Sequence, residues 1–404
     1  MKKCVVAGCS TRGLFMFAKP IVRGTLEGCE LVGCFDVSKM RADMFAKECN
    51  GINAYYDFDE MIKCENPDIV IVATRDCAHH EYIIRSLDAG IDVVSEKPMT
   101  TTREYAKQIM EAEKRSGKKV LVTFNLRYQP YCAEIKKLLQ KGVIGNVKHI
   151  HLEWFLDKKH GADYFRRWHR YMENSSGLLV HKSTHHFDLV NWWLEKKPLS
   201  VYANCGLNVY GKNGKYRSTN CRECDYAKEC EYYYNIAKDE HETIANLHIN
   251  SEPETKYLRD SCVFSEDIDI YDTMSLNVKY EDDVTLNYSL TAYNPYEGWR
   301  VVIIGDQGRL EGGQITSGIH KDDDVTIKVI NNQNSEIIYN MGVLPDGHGG
   351  GDIRLRKMLF EGVGDNELNQ CASSYDGYLS LAIGDAANQS VKENRAVDIL
   401  GDVK

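Results

Sequence analysis

A strict alternation of apolar runs and helical stretches over residues 1–125 constrains this chain more than any other feature. The apolar runs are CVVAGC (4–9), ELVGCFD (30–36), PDIVIVAT (67–74), IDVVSEKP (91–98) and KKVLVTFN (118–125). Helical patterns at 15–25, 38–49, 80–90 and 102–117 separate them, and Gly90 and Gly117 suit left-handed caps. Runs as apolar as PDIVIVAT belong to strands covered on both faces, and parallel strands need a crossover between them. The expectation for residues 1–124 is an α/β domain with a doubly wound parallel sheet.

Beyond residue 125 the pattern changes. Helices are expected at 131–141, 178–194 and 375–393. Longer runs alternate apolar with polar residues: 147–155, 199–207, 275–280, 284–293 and 299–305. That period belongs to a large, mostly antiparallel open sheet with one wet face. Residues 125–404 are therefore expected to form an α+β domain for substrate binding, with an irregular, Tyr-rich insertion at about 211–260. The open sheet face makes a homo-oligomer the expectation.

Charge and leader signals narrow the function. Lys and Arg number 50 against 59 Asp and Glu, a net charge of -9, which supplies no basic face for nucleic acid. No run approaches the ~20 apolar residues of a membrane span, and MKKCVVAGCSTRG has too short an apolar stretch for a signal peptide. A cytoplasmic protein with reduced thiols is expected, its partner a small molecule.

The first strand runs into Gly8-Cys9-Ser10-Thr11-Arg12-Gly13, a G-x-G-x-x-G fingerprint with Ser10 in the middle glycine place. Such a turn brings backbone close to a pyrophosphate and points a helix N-terminus at it. Asp36 ends the second strand, where a carboxylate binds the adenosine ribose diol and disfavours a 2′-phosphate. NAD is thus the expected cofactor, held in a Rossmann domain. Arg12 and Arg41 keep NADP open, and a helix cap is the alternative for Asp36.

The stretch IVATRDCAHHEYIIRSLDAGIDVVSEKPM (71–99) resembles the central signature of the Gfo/Idh/MocA oxidoreductases, which act on sugars and cyclitols through NAD(P). Thr74, His79 and Glu96-Lys97-Pro98 match that signature, and Arg75 stands where the family has proline. FNLRYQP (124–130), with Arg127 and Tyr128, is similar to the family's stretch after the fifth strand. The resemblance implies cofactor contacts from Thr74, His79, Glu96 and Lys97, and substrate contacts from Arg127 and Tyr128.

Oxidising a carbinol by hydride transfer needs a base for the hydroxyl proton and a donor for the developing alkoxide. Lys97 follows a strand carboxyl end, where ligands bind in open α/β sheets. In GLLVHKSTHHFDLVNWWL (177–194) the family pattern Asp-x-Gly-x-His-x-x-Asp is matched by His185 and Asp188, with His181 in the Asp place and Ser183 in the Gly place. The resemblance implies that His185 is the acid/base and Asp188 a substrate contact, and the lost carboxylate implies a different proton relay. His181 and His185 are expected on one helical face, with Lys182 as a second cation. Their HxxxH spacing lacks the Glu of a zinc protease. Arg167 and Trp168 in HGADYFRRWHRY (160–171), and His348 in GHGGGD (347–352), are expected to line the substrate pocket.

Three of the 14 cysteines stand apart: Cys221, Cys224 and Cys230 form C-x2-C-x5-C inside the insertion. That knuckle suits a structural zinc with Cys205, Cys262 or His241 as the fourth ligand. Free thiols, a disulfide or an Fe–S cluster are the alternatives. The motifs point to an NAD(H)-dependent dehydrogenase of a secondary hydroxyl, and the resemblance, through its HKSTHHFD variant at 181–188, implies a branch acting at C3 of a sugar or glycoside. An NAD-dependent glycosidase working by transient C3 oxidation and elimination, or a non-catalytic NAD/sugar sensor, are the alternatives.

Overall fold

A computed structural model of the chain describes residues 1–342, 347–364 and 366–400, apart from the side chains of residues 347, 348 and 366. Its first sheet contains six parallel strands, β1 (Lys2–Ala7), β2 (Cys29–Phe35), β3 (Asn53–Tyr55), β4 (Ile69–Val72), β5 (Asp92–Ser95) and β6 (Val120–Val122). They lie in the order β6-β5-β4-β1-β2-β3, so the chain changes direction across the sheet between β1 and β4. A crevice opens outside the strand carboxyl ends at such a switch point. All four side chains of β4 are buried, as its β-branched run requires. Strand β3 and the helix Phe58–Glu65 were not expected, because a three-residue strand carries too little pattern to read.

The second sheet has nine strands: β7 (Val147–Asp157), β8 (Pro198–Gly206), β9 (Thr273–Tyr280), β10 (Thr285–Asn294), β11 (Gly298–Gly305), β12 (Gly308–Ile315), β13 (Asp324–Asn331), β14 (Glu336–Gly342) and β16 (Val397–Asp398). Neighbours pair antiparallel except β7 with β10. Strict burial alternation along β9 shows the one-sided sheet that the sequence pattern predicts. Strand β15 (Ala372–Ser373) pairs antiparallel with β6, so late chain completes the first sheet. The helix Ser374–Glu393 starts from a capping box of Ser373 and Asp376 and packs against β8 and the helix Arg103–Ser116.

The helix expected over residues 178–194 is broken. It runs as Leu178–His181, then restarts as Thr184–Leu194, all of whose side chains are buried. At the break the Ser183 amide donates back to the Leu178 carbonyl at 2.8 Å, and the Tyr288 hydroxyl donates to Ser183 Oγ at 2.9 Å. His181 and His185 therefore do not share one continuous helical face. The kink instead presents His181, Lys182 and His185 together at the crevice.

Candidate active site

A cleft of about 740 Å³ lies over the carboxyl ends of the parallel strands. Its inner wall is backbone-shaped. Gly8 has φ +98°, and a Cβ there would sit 2.7 Å from the Ala73 carbonyl and the Thr74 amide, so β1 and β4 approach this closely only with glycine. Ser10 Oγ accepts from the Gly13 amide at 3.1 Å and closes the turn. Helix start and turn, Gly8, Ser10, Thr11 and Arg12, line the cleft, and the first amides of a helix have no intrahelical acceptor. Asp36 also lines it, accepting from the Cys9 and Ser38 amides at 2.9 Å each. The cap of the helix Lys39–Glu48 is Ser38, which leaves Asp36 facing the cleft.

Several expected cofactor contacts have further work to do. Arg12 donates to Glu96 at 2.9 Å and to both Asp352 oxygens at 2.9 and 3.0 Å, tying the first helix to β5 and to the helix Gly351–Glu361. His79 spans two loops, with Nδ1 2.8 Å from the Pro98 carbonyl and Nε2 3.2 Å from the Thr74 carbonyl. Both loops are thereby held at the cleft floor, beneath Lys97.

Lys97 Nζ donates to the His181 carbonyl at 3.2 Å. Burial, then repulsion from Lys182, pulls its ammonium down to about 8, while Asp76 and Glu96 oppose the shift. Lys182 is also lowered by burial and lies 5.7 Å from the Trp154 ring centroid. His181 Nδ1 is 2.5 Å from Asp76 Oδ2. Asp76 opens the helix that follows β4 and is 2% exposed. Sequence reading missed it; the available signal was Arg75-Asp76 directly after Thr74, at a strand carboxyl end.

The outer wall comes from the helix Lys158–Arg166, the following turn and the insertion. Arg167 and Trp168 line the cleft as expected, with Asp163, Tyr164 and His169. Glu297 meets His160 Nδ1 at 3.0 Å, and His160 Nε2 meets the Tyr164 hydroxyl at 3.0 Å. The insertion supplies His248, Glu254 and Tyr257, which the sequence did not single out. His248 lies 2.8 Å from Arg41 Nη2 and 3.4 Å from Thr11 Oγ1, and Glu254 accepts from Ser38 Oγ at 2.6 Å. Three buried polar atoms of cleft-lining residues, Arg167 Nε, His169 Nδ1 and the Tyr257 hydroxyl, have no partner among the described residues. Such orphans mark a wall that meets a polar ligand. With the glycine turn and Asp36 they fit a dinucleotide and a hydroxylated substrate.

Three expected substrate contacts are not brought to the cleft. Arg127 and Asp188 pair at 2.6 and 2.8 Å, and Arg127 also reaches Asp376 at 2.9 Å. Burial opposes the Arg127 charge, but Asp188 and Asp376 more than offset it and raise its value. This pair joins β6's loop to the helices Thr184–Leu194 and Ser374–Glu393. Tyr128 is buried beside it, in the core. The side chain of His348 lies outside the described residues.

The zinc knuckle is not supported. Among the described residues no three His, Cys, Asp or Glu side chains gather as a metal site. Cys221 is buried with its Sγ 3.2 Å from Arg166 Nη1, and all 14 cysteines are free thiols. The insertion folds on other supports: Arg222 on Asp260 at 2.8 Å, Arg259 on Glu240, and Arg166 on the Tyr232 carbonyl. These part-buried ion pairs and the carbonyl contact give the polar segment supports that need no metal.

Fold and cleft together define a two-domain oxidoreductase with a dinucleotide crevice. The chain belongs to the Gfo/Idh/MocA oxidoreductase family: the family's NAD-binding Rossmann fold matches residues 2–124 and its C-terminal alpha/beta domain residues 136–399. It is 36% identical to "Putative oxidoreductase YteT" of Bacillus subtilis (strain 168), covering 98% of this chain and 97% of that one. Glucose-6-phosphate 3-dehydrogenase of the same organism is 28% identical over 53% of this chain and 61% of its own. The WlbA dehydrogenase from Bordetella pertussis, solved with NADH and UDP-GlcNAcA, has the same fold at TM-score 0.67 and 18% identity, with 98% of each chain covered. Among the described residues no helix is long and apolar enough to cross a membrane.

Proposed function

We propose that the protein is an NAD(H)-dependent dehydrogenase that oxidises a secondary hydroxyl, at C3, of a sugar or glycoside. The observation that carries this reading is the convergence of Lys97, His181, Lys182 and His185 on a cleft whose other end holds the glycine turn and Asp36. When bound, the dinucleotide supplies a hydride acceptor at the nicotinamide ring. The Asp36 carboxylate favours the 2′-hydroxyl of NAD over a 2′-phosphate. Lys97, with Lys182 behind it, stabilises the alkoxide that develops as the hydroxyl proton leaves. The two histidines are the proton acceptors within reach of the same space. Relatives named for inositol and for glucose 6-phosphate agree with a ring bearing several hydroxyls.

A second reading rests on the insertion. His248 and Glu254 lock it onto Arg41 and Ser38, enclosing the dinucleotide end and favouring a cofactor that stays bound. A retained cofactor suits a cycle in which C3 oxidation acidifies the C2 proton, the aglycone is eliminated, and the hydride returns. Incubating the enzyme with NAD and a panel of sugars, cyclitols and C3-deuterated glycosides tests both. Keto-sugar with NADH is expected for the first reading, and released aglycone with deuterium retained for the second. If none of these products forms, both are wrong.

A further inference from the structure

The motif carboxylate missing at position 181 is restored in space by a residue from another element. We propose that Asp76 and His181 form a proton-accepting dyad, in which Asp76 positions His181 and His181 Nε2 takes the substrate hydroxyl proton. This rests on the dehydrogenase reading above and adds a positioning residue to it.

The geometry is specific. Asp76 Oδ2 stands 2.5 Å from Nδ1. With Asp76 ionised, Nδ1–H donates in a charge-assisted contact and the Nε2 lone pair is free. Nε2 has no hydrogen-bond partner among the described residues, and the side chain lines the cleft. Around the imidazole lie the rings of His169 at 4.1 Å, Tyr164 at 5.5 Å and Trp168 at 5.7 Å, which fix its plane. Its backbone carbonyl accepts from Lys97 Nζ at 3.2 Å, so acceptor and alkoxide-stabilising cation are set by one contact. A base must enter the reaction neutral. Burial first, then Lys97, Arg167, Lys182 and His79, push the His181 imidazole well below its ordinary value. Burial likewise pushes the Asp76 carboxyl well above its ordinary range, opposed by Lys97 and Arg167, so the dyad needs the Nδ1–H contact and those cations to hold Asp76 as the carboxylate.

The step balances simply. The hydroxyl O–H proton passes to His181 Nε2, the carbinol C–H leaves as hydride to the oxidised nicotinamide, and the oxygen lone pair closes the C=O bond. The resulting imidazolium is stabilised by the Asp76 carboxylate, which takes no proton itself. A protonated Asp76 carboxyl donating its O–H to an unprotonated Nδ1 would leave Nε2 protonated and useless as a base. That arrangement is the competing state, and it is distinguishable.

The test uses two independent readouts on the dinucleotide-loaded protein. Imidazole 15N spectra of histidine-labelled enzyme, with the His181 signal identified by its loss in His181→Asn, are expected to show the Nδ1–H tautomer. Asp76→Asn should abolish that signature. On any substrate turned over by the wild type, Asp76→Asn should lower kcat by ~10²–10⁴-fold with KM within about threefold. Without the adjacent negative charge, the acid limb of kcat/KM should also move to lower pH. Asp76→Glu should recover part of the rate. An Nε2–H tautomer in the wild type, or an unmoved acid limb in Asp76→Asn, overturns the dyad. If the wild type oxidises nothing in the panel, the dehydrogenase reading fails, and the dyad is still decided by the tautomer.

Discussion

The two walls of the cleft are built from different materials. The inner wall, from β1, β2, β4 and β5, is shaped by backbone: a glycine that nothing larger can replace, a helix start, and strand ends held in register. The outer wall, from residues 158–170 and the insertion, is shaped by side chains that pair with distant partners: Arg41 with His248 and Ser38 with Glu254. Lys97 and Asp76 belong to the first and reach His181 across the junction. A backbone-built surface is rigid and tolerates little substitution. A side-chain-built surface is assembled from many small terms, and each can be removed at modest cost.

The largest effect is expected where the inner wall carries chemistry. Lys97→Ala should lower kcat by ~10³-fold or more, because the developing alkoxide loses its charged donor. Dinucleotide affinity, measured by fluorescence titration, should stay within about threefold, since the glycine turn and Asp36 are untouched. Near-normal turnover would place the chemistry on the outer wall instead, and the comparison would break.

The next effect separates charge from structure through pH. Lys97 is lowered to about 8 from its ordinary 10.5, by burial first and Lys182 second. Its charge is present below about 8, so the alkaline limb of kcat/KM, which reports the free enzyme, should fall through that value. Stability should move the opposite way. Between about 8 and 10.5 the unfolded lysine binds a proton that the folded one has lost, so unfolding free energy should rise with pH across that window. Chemical denaturation of wild type and Lys97→Met at several pH values reads this difference. Equal slopes for the two proteins would mean that Lys97 is not the group responsible.

A smaller effect is expected on the outer wall. His248 joins Arg41 and Thr11, and removing it as His248→Ala deletes two contacts without touching the glycine turn. Dinucleotide affinity should fall roughly five- to tenfold, the scale of one or two hydrogen bonds, with kcat unchanged. A thousandfold loss would show that the insertion, rather than the inner wall, dominates cofactor binding.

The same contrast explains what was legible in the sequence. Alternating periodicity and the glycine fingerprint report backbone geometry, so the parallel sheet, Gly8, Asp36 and Lys97 could be read from local pattern. Pairings between remote side chains leave no such mark. Arg127 and Asp188 match a family pattern that implies substrate contacts, whereas each is paired with the other in the core. Asp76 was hidden for the converse reason: its partner lies 105 residues away, beyond a helix break that the continuous apolar pattern did not reveal. His248 lies on the helix Glu242–Ile249 and Glu254 on the short helix Glu252–Thr255, but local pattern does not say what those helices face, and only the folded insertion brings them and Tyr257 to the cleft.

The smallest effect is the sharpest test of how that insertion is held. A zinc ligand cannot be replaced without losing the fold it supports, because binding energy there is folding energy. Ion pairs such as Arg222 with Asp260 and Arg259 with Glu240 ask nothing of the thiols. Cys224 is partly exposed, and its backbone amide donates to the Cys221 carbonyl at 3.3 Å. Cys224→Ser should therefore shift the unfolding free energy by less than about 0.5 kcal/mol, the range of an ordinary surface substitution. Urea denaturation with and without a chelator measures it. A loss of several kcal/mol, matched by the chelator acting on the wild type, would restore a metal to the insertion and make the outer wall a cofactor-built surface after all.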